Sequence, residues 1–215
     1  MIQIRPRFRL LALLAAVALS AACDDGRALR DPSPEQLTQA APDSFTVRFG
    51  TSAGDFEVRF IRAWSPLGVD RVYHLTRHGF YEGAKFFRNN PRVVQFGFSG
   101  QPALDSVWRA NPIDDEPVVG TNRRGAVSFA RAGPNTRDFQ LFINRIDNPD
   151  YDSCCGGGYP PVGWITEGFE VIDRLYGQYG ELEPAAQGRI MAEGNDYLRN
   201  RYPLLDSIES VRVVR

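Results

Sequence analysis

The sequence predicts a mainly β domain: a closed antiparallel barrel capped by two or three helices. Three observations lead there. Short runs of alternating apolar residues recur along the chain from Phe45 onward, helical spacing is confined to a few isolated stretches, and strands do not alternate with helices as a βαβ sheet requires. Closure would also hide the edges of so many short strands.

The elements follow in order. Phe45, Val47 and Phe49 alternate with polar or small residues, as do Phe56, Val58 and Phe60, and Thr51-Ser52-Ala53-Gly54 lies between the two runs. That pattern is a β-hairpin with one buried face. Ser65-Pro66 starts a helix on which Val69, Val72, Tyr73 and Thr76 recur until Gly79. Further strands are expected at Val93 to Phe98, Gly125 to Ala130, Phe139 to Asn144 and Val162 to Thr166, with helices at Phe169 to Tyr176 and Gln187 to Arg199. Ile208 to Val214 closes the chain as a strand expected to pair with the first hairpin.

The 215 residues suit one domain with a real core, and 43% hydrophobic content excludes disorder for the bulk of it. A net charge of -1, with 25 basic and 26 acidic residues scattered along the chain, advertises no nucleic-acid face. Three Cys and two His without paired spacing support neither a disulfide framework nor a zinc site. His74 and His78 stand at i, i+4 on a helix, but two ligands without a third read as ordinary helix residues. Cys154-Cys155 before three glycines is compatible with a strained vicinal disulfide, free thiols or intermolecular pairing, and is read as a loop without catalytic duty.

Residues 1–22 carry Arg5, Arg7 and Arg9, an apolar run from Leu10 to Leu19, and small residues before Cys23. This order is a secretory signal, too short for a spanning helix of about 20 residues. The small residues before Cys23 resemble a bacterial lipobox, which implies lipidation of Cys23, although Leu19 lies four residues before the Cys where three is usual. Residues 23–44, with Pro32, Pro34 and Pro42 and no apolar period, read as a flexible lipid-anchored tether. The folded domain then spans 45–215, with a C-terminal extension over 183–215. The expected location is the cell envelope, membrane-anchored and facing the periplasm or exterior, with the chain a monomer.

Four stretches carry a resemblance to the cyclophilins: Gly79-Phe80-Tyr81-Glu82-Gly83 leading to Phe86-Phe87-Arg88; Val93-Val94-Gln95-Phe96-Gly97; Gly125-Ala126-Val127-Ser128-Phe129-Ala130 continuing to Thr136; and Phe139-Gln140-Leu141-Phe142-Ile143-Asn144. Glu167 to Ile172 adds a fifth. The resemblance, over about 45–176, implies an eight-stranded barrel and peptidyl-prolyl cis-trans isomerase activity without a metal or cofactor. It implies catalytic roles for Arg88, Gln95 and Phe142, and substrate contacts from Val93, Val94, Ala130, Arg131, Gln140, Tyr151 and Tyr159. The partners it implies, given the signal, are proline-containing segments of exported polypeptides.

The sequence departs from the family pattern after Arg88. Arg88-Asn89-Asn90-Pro91-Arg92-Val93-Val94-Gln95 is one residue short and lacks the pocket phenylalanine, so Val93 or the stem of Arg92 must fill its place. A tryptophan that caps the groove in many members falls near Asp150, its neighbouring leucine on Tyr151, a frequent histidine on Tyr159, and a peptide-binding asparagine on Arg131. A more polar, less complete pocket predicts reduced turnover and weak binding of cyclosporin-type inhibitors. The competing expectation is a binding or chaperone module that retains the groove without useful catalysis.

Overall fold

A computed structural model describes residues 25–214. Eight strands form one antiparallel sheet: β1 (Ser44–Thr51), β2 (Gly54–Ile61), β3 (Arg88–Asn89), β4 (Val93–Phe96), β5 (Ala126–Phe129), β6 (Leu141–Asn144), β7 (Pro161–Glu167) and β8 (Ile208–Val213). The strand order is β3-β4-β6-β5-β7-β2-β1-β8. The hairpin is built as its alternation requires: Phe45, Val47, Phe49, Phe56, Val58 and Phe60 are all buried, with Phe49 stacked on Phe56 at 5.0 Å. Thr51 Oγ1 donates to the Gly54 carbonyl at 2.6 Å and accepts from Ala53 N at 3.2 Å, fixing the turn. β8 returns antiparallel to β1, as the apolar run at the chain end predicts.

The expected closed barrel is not reached. The sheet curls into a half-barrel, because β3 is only two residues long and shares no ladder with β8. The two ends meet through an isolated bridge, Lys85 to Ser207, and flanking hydrogen bonds such as Ile208 N to the Ala84 carbonyl at 2.9 Å.

Helix Pro66–Arg77 forms as its start signal predicts and buries Val69, Val72 and Leu75 against the sheet. Phe169–Arg174 is likewise helical. The helix expected over 187–199 is two helices, Ala186–Glu193 and Asn195–Arg201, broken at Gly194 (φ 61°), where a Cβ would stand 2.3 Å from the Gly100 carbonyl oxygen. A further helix, Pro102–Arg109, was not anticipated.

The tether expectation is also corrected over its described part. Residues Asp25–Arg30 and Pro34–Leu37 are helical, and Ala28, Leu29 and Ala41 are buried. Trp108 Nε1 donates to the Leu29 carbonyl at 3.0 Å, His74 Nε2 meets the Ala28 carbonyl at 3.3 Å, and Ala41 N donates to Asp70 at 2.8 Å. A mobile linker makes no such buried contacts; Ala28 and Leu29 are held at His74 and Trp108, and Ala41 at Asp70. The signal residues 1–22 and Cys23 lie outside the described residues. Among the described residues, no helix is long and apolar enough to cross a membrane.

Candidate functional site

Strand register assembles the centre of the site. Arg88 on β3 lies opposite Gln95 on β4, and Gln95 lies opposite Phe142 on β6. Directly opposed residues of neighbouring strands share a face of the sheet, so three positions far apart in sequence converge on one surface. They line a cleft of about 390 Å³ together with Val93, Ala130, Arg131, Gln140, Tyr151 and Tyr159.

Of the residues expected at the site, Val94 alone is placed elsewhere. Alternation along β4 turns Val93 and Gln95 to the cleft and sends Val94 into the core, where it is buried opposite Ile143. Two successive strand residues cannot both face one groove.

A chain of hydrogen bonds orders the polar side. Arg88 Nη1 donates to Gln95 Oε1 at 3.2 Å, and Gln95 Nε2 donates to Gln140 Oε1 at 3.0 Å. Gln95 is only 4% exposed, so its amide is held by these partners rather than by water. Gln140 sits where Gly97 (φ 142°) lets β4 approach: a Cβ at 97 would stand 2.6 Å from the Gln140 Cα. Ala130 N donates to the Gln140 carbonyl at 2.9 Å, setting the cleft's other edge.

The apolar floor is Phe142, 4% exposed, with Tyr151 and Tyr159 edge-on to its ring at 5.8 and 5.5 Å and 5.4 Å from each other. Edge-to-face packing suits the aromatic quadrupole. Phe142 lies outside the main core cluster, so the trio forms a separate apolar patch at the cleft. Val93 lines the cleft in place of the missing phenylalanine, whereas Arg92 turns away: its guanidinium stacks 4.4 Å from the Tyr151 ring centroid and bridges to Asp150 at 2.5 Å. Tyr159 has its hydroxyl pushed up to about 12, chiefly by burial.

Arg131 borders the cleft but is committed. Its side chain is 3% exposed, bridged to Asp115 at 2.7 Å and donating to the Cys155 carbonyl at 2.7 Å. Opposite, Asp138 is paired with Arg109 at 2.7 Å, and burial holds its carboxyl above the usual range despite that charge.

Several lining residues were missed. Ala132 and Thr136 lie within a quoted motif, while Arg109, Pro112 and Asp138 carry no local signal. The C-terminal extension supplies Gln187 to the lining, and Glu181, just ahead of that extension, reaches Arg88 itself, its Oε1 accepting from Arg88 Nε at 2.8 Å and also from Asn90. Burial raises the Glu181 carboxyl, but the hydrogen bonds from Asn90 and Arg88 and the Arg88 charge outweigh it, leaving it below its ordinary value. A contact between residues 88 and 181 leaves no trace in sequence spacing.

The profile described as cyclophilin type peptidyl-prolyl cis-trans isomerase/CLD matches residues 46–192, a span that includes every residue of this cleft. The chain belongs to this cyclophilin-type family. Among its relatives, peptidyl-prolyl cis-trans isomerase A of Dickeya dadantii (strain 3937) is 30% identical over 139 residues, covering 63% of this chain and 73% of that protein. Peptidyl-prolyl cis-trans isomerase-like 3 of Mus musculus is 30% identical over 136 residues, 60% of this chain and 81% of the other. A solved cyclophilin-type isomerase of Cryptosporidium parvum superposes with a TM-score of 0.58 at 20% identity, over 80% of this chain and 98% of that one, a likeness of fold. The cyclophilin half-barrel of this chain thus carries an arginine, two glutamines and an aromatic floor on one face.

Proposed function

We propose that the chain accelerates cis-trans rotation about X-Pro bonds in extended segments of exported proteins, with Arg88 as the catalytic residue. The observation that supports this most is the register that sets Arg88, Gln95 and Phe142 side by side across three strands.

Rotation crosses a barrier of about 18–20 kcal/mol that exists because the imide is resonance-stabilised. No bond breaks, so neither a nucleophile nor a proton shuttle is needed; the site has only to bind the twisted imide better than either planar form. Phe142, flanked by Tyr151 and Tyr159, offers an apolar floor for the pyrrolidine ring. Arg88 offers fixed cationic donors to the substrate's carbonyl and prolyl nitrogen as conjugation is lost, and Gln95 holds the guanidinium in place. Lowering the barrier by about 5–7 kcal/mol would speed rotation by four to five powers of ten, on the order of the acceleration such a site must supply.

The shortened loop before Val93 favours a second reading, a peptide-binding module with little turnover. Exchange between cis and trans forms of a short X-Pro peptide separates the two. Acceleration by substoichiometric protein supports the enzyme; peptide binding at the uncatalysed rate leaves only the module.

The signal and Cys23 support a lipid-anchored location in the cell envelope. Because the chain is already packed from Ala28, such an anchor would hold the domain close against the bilayer. Cys23→Ser should move the protein to the soluble fraction, and an unchanged membrane fraction would remove the anchor.

A further inference from the structure

The wall of the cleft that carries Tyr159 is a loop built around two adjacent thiols. Between the turn Pro149–Asp152 and Tyr159 the chain passes through Cys154 and Cys155, both free, with Cys155 exposed and Cys154 half-buried. Their sulfurs are 2.8 Å apart. Cys155 adopts φ 58°, and the three glycines that follow also have positive φ, so the loop can take backbone shapes closed to other residues. A Cβ at Gly156 or Gly157 would meet nothing within 4 Å, so the loop faces open space from which a reagent can arrive.

The pair is wired to the groove through two contacts. The Cys155 carbonyl accepts from Arg131 Nη2 at 2.7 Å, and the Tyr159 hydroxyl stands near enough to the Cys155 sulfur to lower its pKa. Arg131 in turn stands 5.5 Å from the Tyr159 ring centroid, and Tyr159 packs edge-on against Phe142. The thiols are also unlike one another. Its neighbours Cys154 and Tyr159 hold Cys155 below the ordinary thiol value, whereas burial pushes Cys154 up to about 11. An exposed thiol of lowered pKa beside a shielded one matches an attacking and a resolving cysteine.

We propose that Cys154 and Cys155 are a dithiol-disulfide modification site, and that closure to a vicinal disulfide resets the Tyr159 and Arg131 wall of the peptide groove. The coupling to peptide binding rests on the groove reading above; the modification itself does not. The oxidant is a small-molecule disulfide. The Cys155 thiolate attacks one of its sulfurs, forming a mixed disulfide and expelling a thiolate that takes up the proton Cys155 gave away. Cys154 then loses its proton, attacks the Cys155 sulfur and expels the second thiolate, which leaves as a thiol. Two protein thiols are oxidised by two electrons and one external disulfide is reduced to two thiols. In the closed form the Cys155 sulfur is drawn into the new ring, away from Tyr159, and the Cys155 carbonyl turns with it, releasing Arg131.

The test treats the full chain with oxidised glutathione and follows three readouts. Intact mass should fall by two hydrogens, and peptide mapping should place the link between Cys154 and Cys155 rather than on Cys23. Tyr159 ring resonances should shift on oxidation and return on reduction, and neither change should occur in Cys155→Ser. Affinity for a short Ala-Pro peptide should weaken about 2–10-fold in the closed form, the value of one edge-to-face aromatic contact. Absence of the two-hydrogen loss, or a link to Cys23, overturns the modification site. Unmoved Tyr159 resonances, or equal peptide affinity in both forms, overturns the coupling. If the peptide binds neither form, the groove reading fails, while the mass and Tyr159 readouts still decide the site.

Discussion

Removing the Glu181 side chain tests how much the segment that follows helix Phe169–Arg174 contributes to the orientation of Arg88. The bridge is 2.8 Å long, but the side chains are 37% and 56% exposed, so water and salt screen it. Its share of folding stability is then about 0.2–1 kcal/mol, at most roughly 2–4 °C in Tm. Catalysis should feel more, because Arg88 is held by only two side chains, Gln95 and Glu181, among the described residues. Losing one anchor worth about 1 kcal/mol of orientation should lower kcat/KM about fivefold in Glu181→Ala. Glu181→Gln keeps an acceptor for Arg88 and Asn90 and should stay within about twofold of wild type. The carboxyl is held below its ordinary value, so the bridge is complete above that ordinary value and is lost as pH falls through the lower, folded-state one. Cis-trans exchange rates at low and high salt measure all of this, and high salt should narrow the gap between wild type and Glu181→Ala. Equal kcat/KM in wild type and Glu181→Ala at low salt would refute the reasoning.

Phe142→Ala should raise KM for an X-Pro peptide about tenfold, while costing about 2–3 kcal/mol of stability, less than a sealed core phenylalanine because the gap opens to the cleft; an unchanged KM would deny the floor its role. Leu29→Ala should cost about 2 kcal/mol and lower Tm by roughly 4–8 °C, since Leu29 is buried beside Trp108; an unaltered melting curve would restore the mobile tether. His74 is held neutral to about pH 4, chiefly by burial, so its folded value lies below the unfolded one near 6.5. Its contribution is therefore complete above pH 6.5 and disappears as pH falls towards 4, and the stability difference between wild type and His74→Gln should shift against the wild type by about 3 kcal/mol over that range. An imidazole titrating near 6.5 by NMR would contradict this.

How legible the fold was depended on element length and on how local the signal is. The β1–β2 hairpin was plain because eight-residue strands show their alternation fully, while the two residues of β3 have no period to read. With β3 so short, the closure expected from the run of short strands, and implied again by the resemblance, is one the ladders do not make. Residues 25–41 look like a linker by composition, and only the distant surface of Trp108 reveals why Ala28 and Leu29 are buried. At the site, the family resemblance points to Arg88, Gln95, Gln140 and Phe142, but it also puts Val94 in the groove, against the two-residue period of its own strand. Glu181 and Gln187 could not be read at all, because only the tertiary path of the chain after Arg174 brings them to the cleft.

The central claim is that one guanidinium favours the half-rotated imide over the flat one, and Arg88→Ala measures it directly when kcat and peptide affinity are determined on the same sample. The account predicts a kcat lower by about two to three powers of ten, as for loss of a preorganised donor, with affinity for the ground-state peptide changed only a few-fold. A variant that turns over as fast as wild type, or that loses binding and catalysis in equal measure, would contradict it.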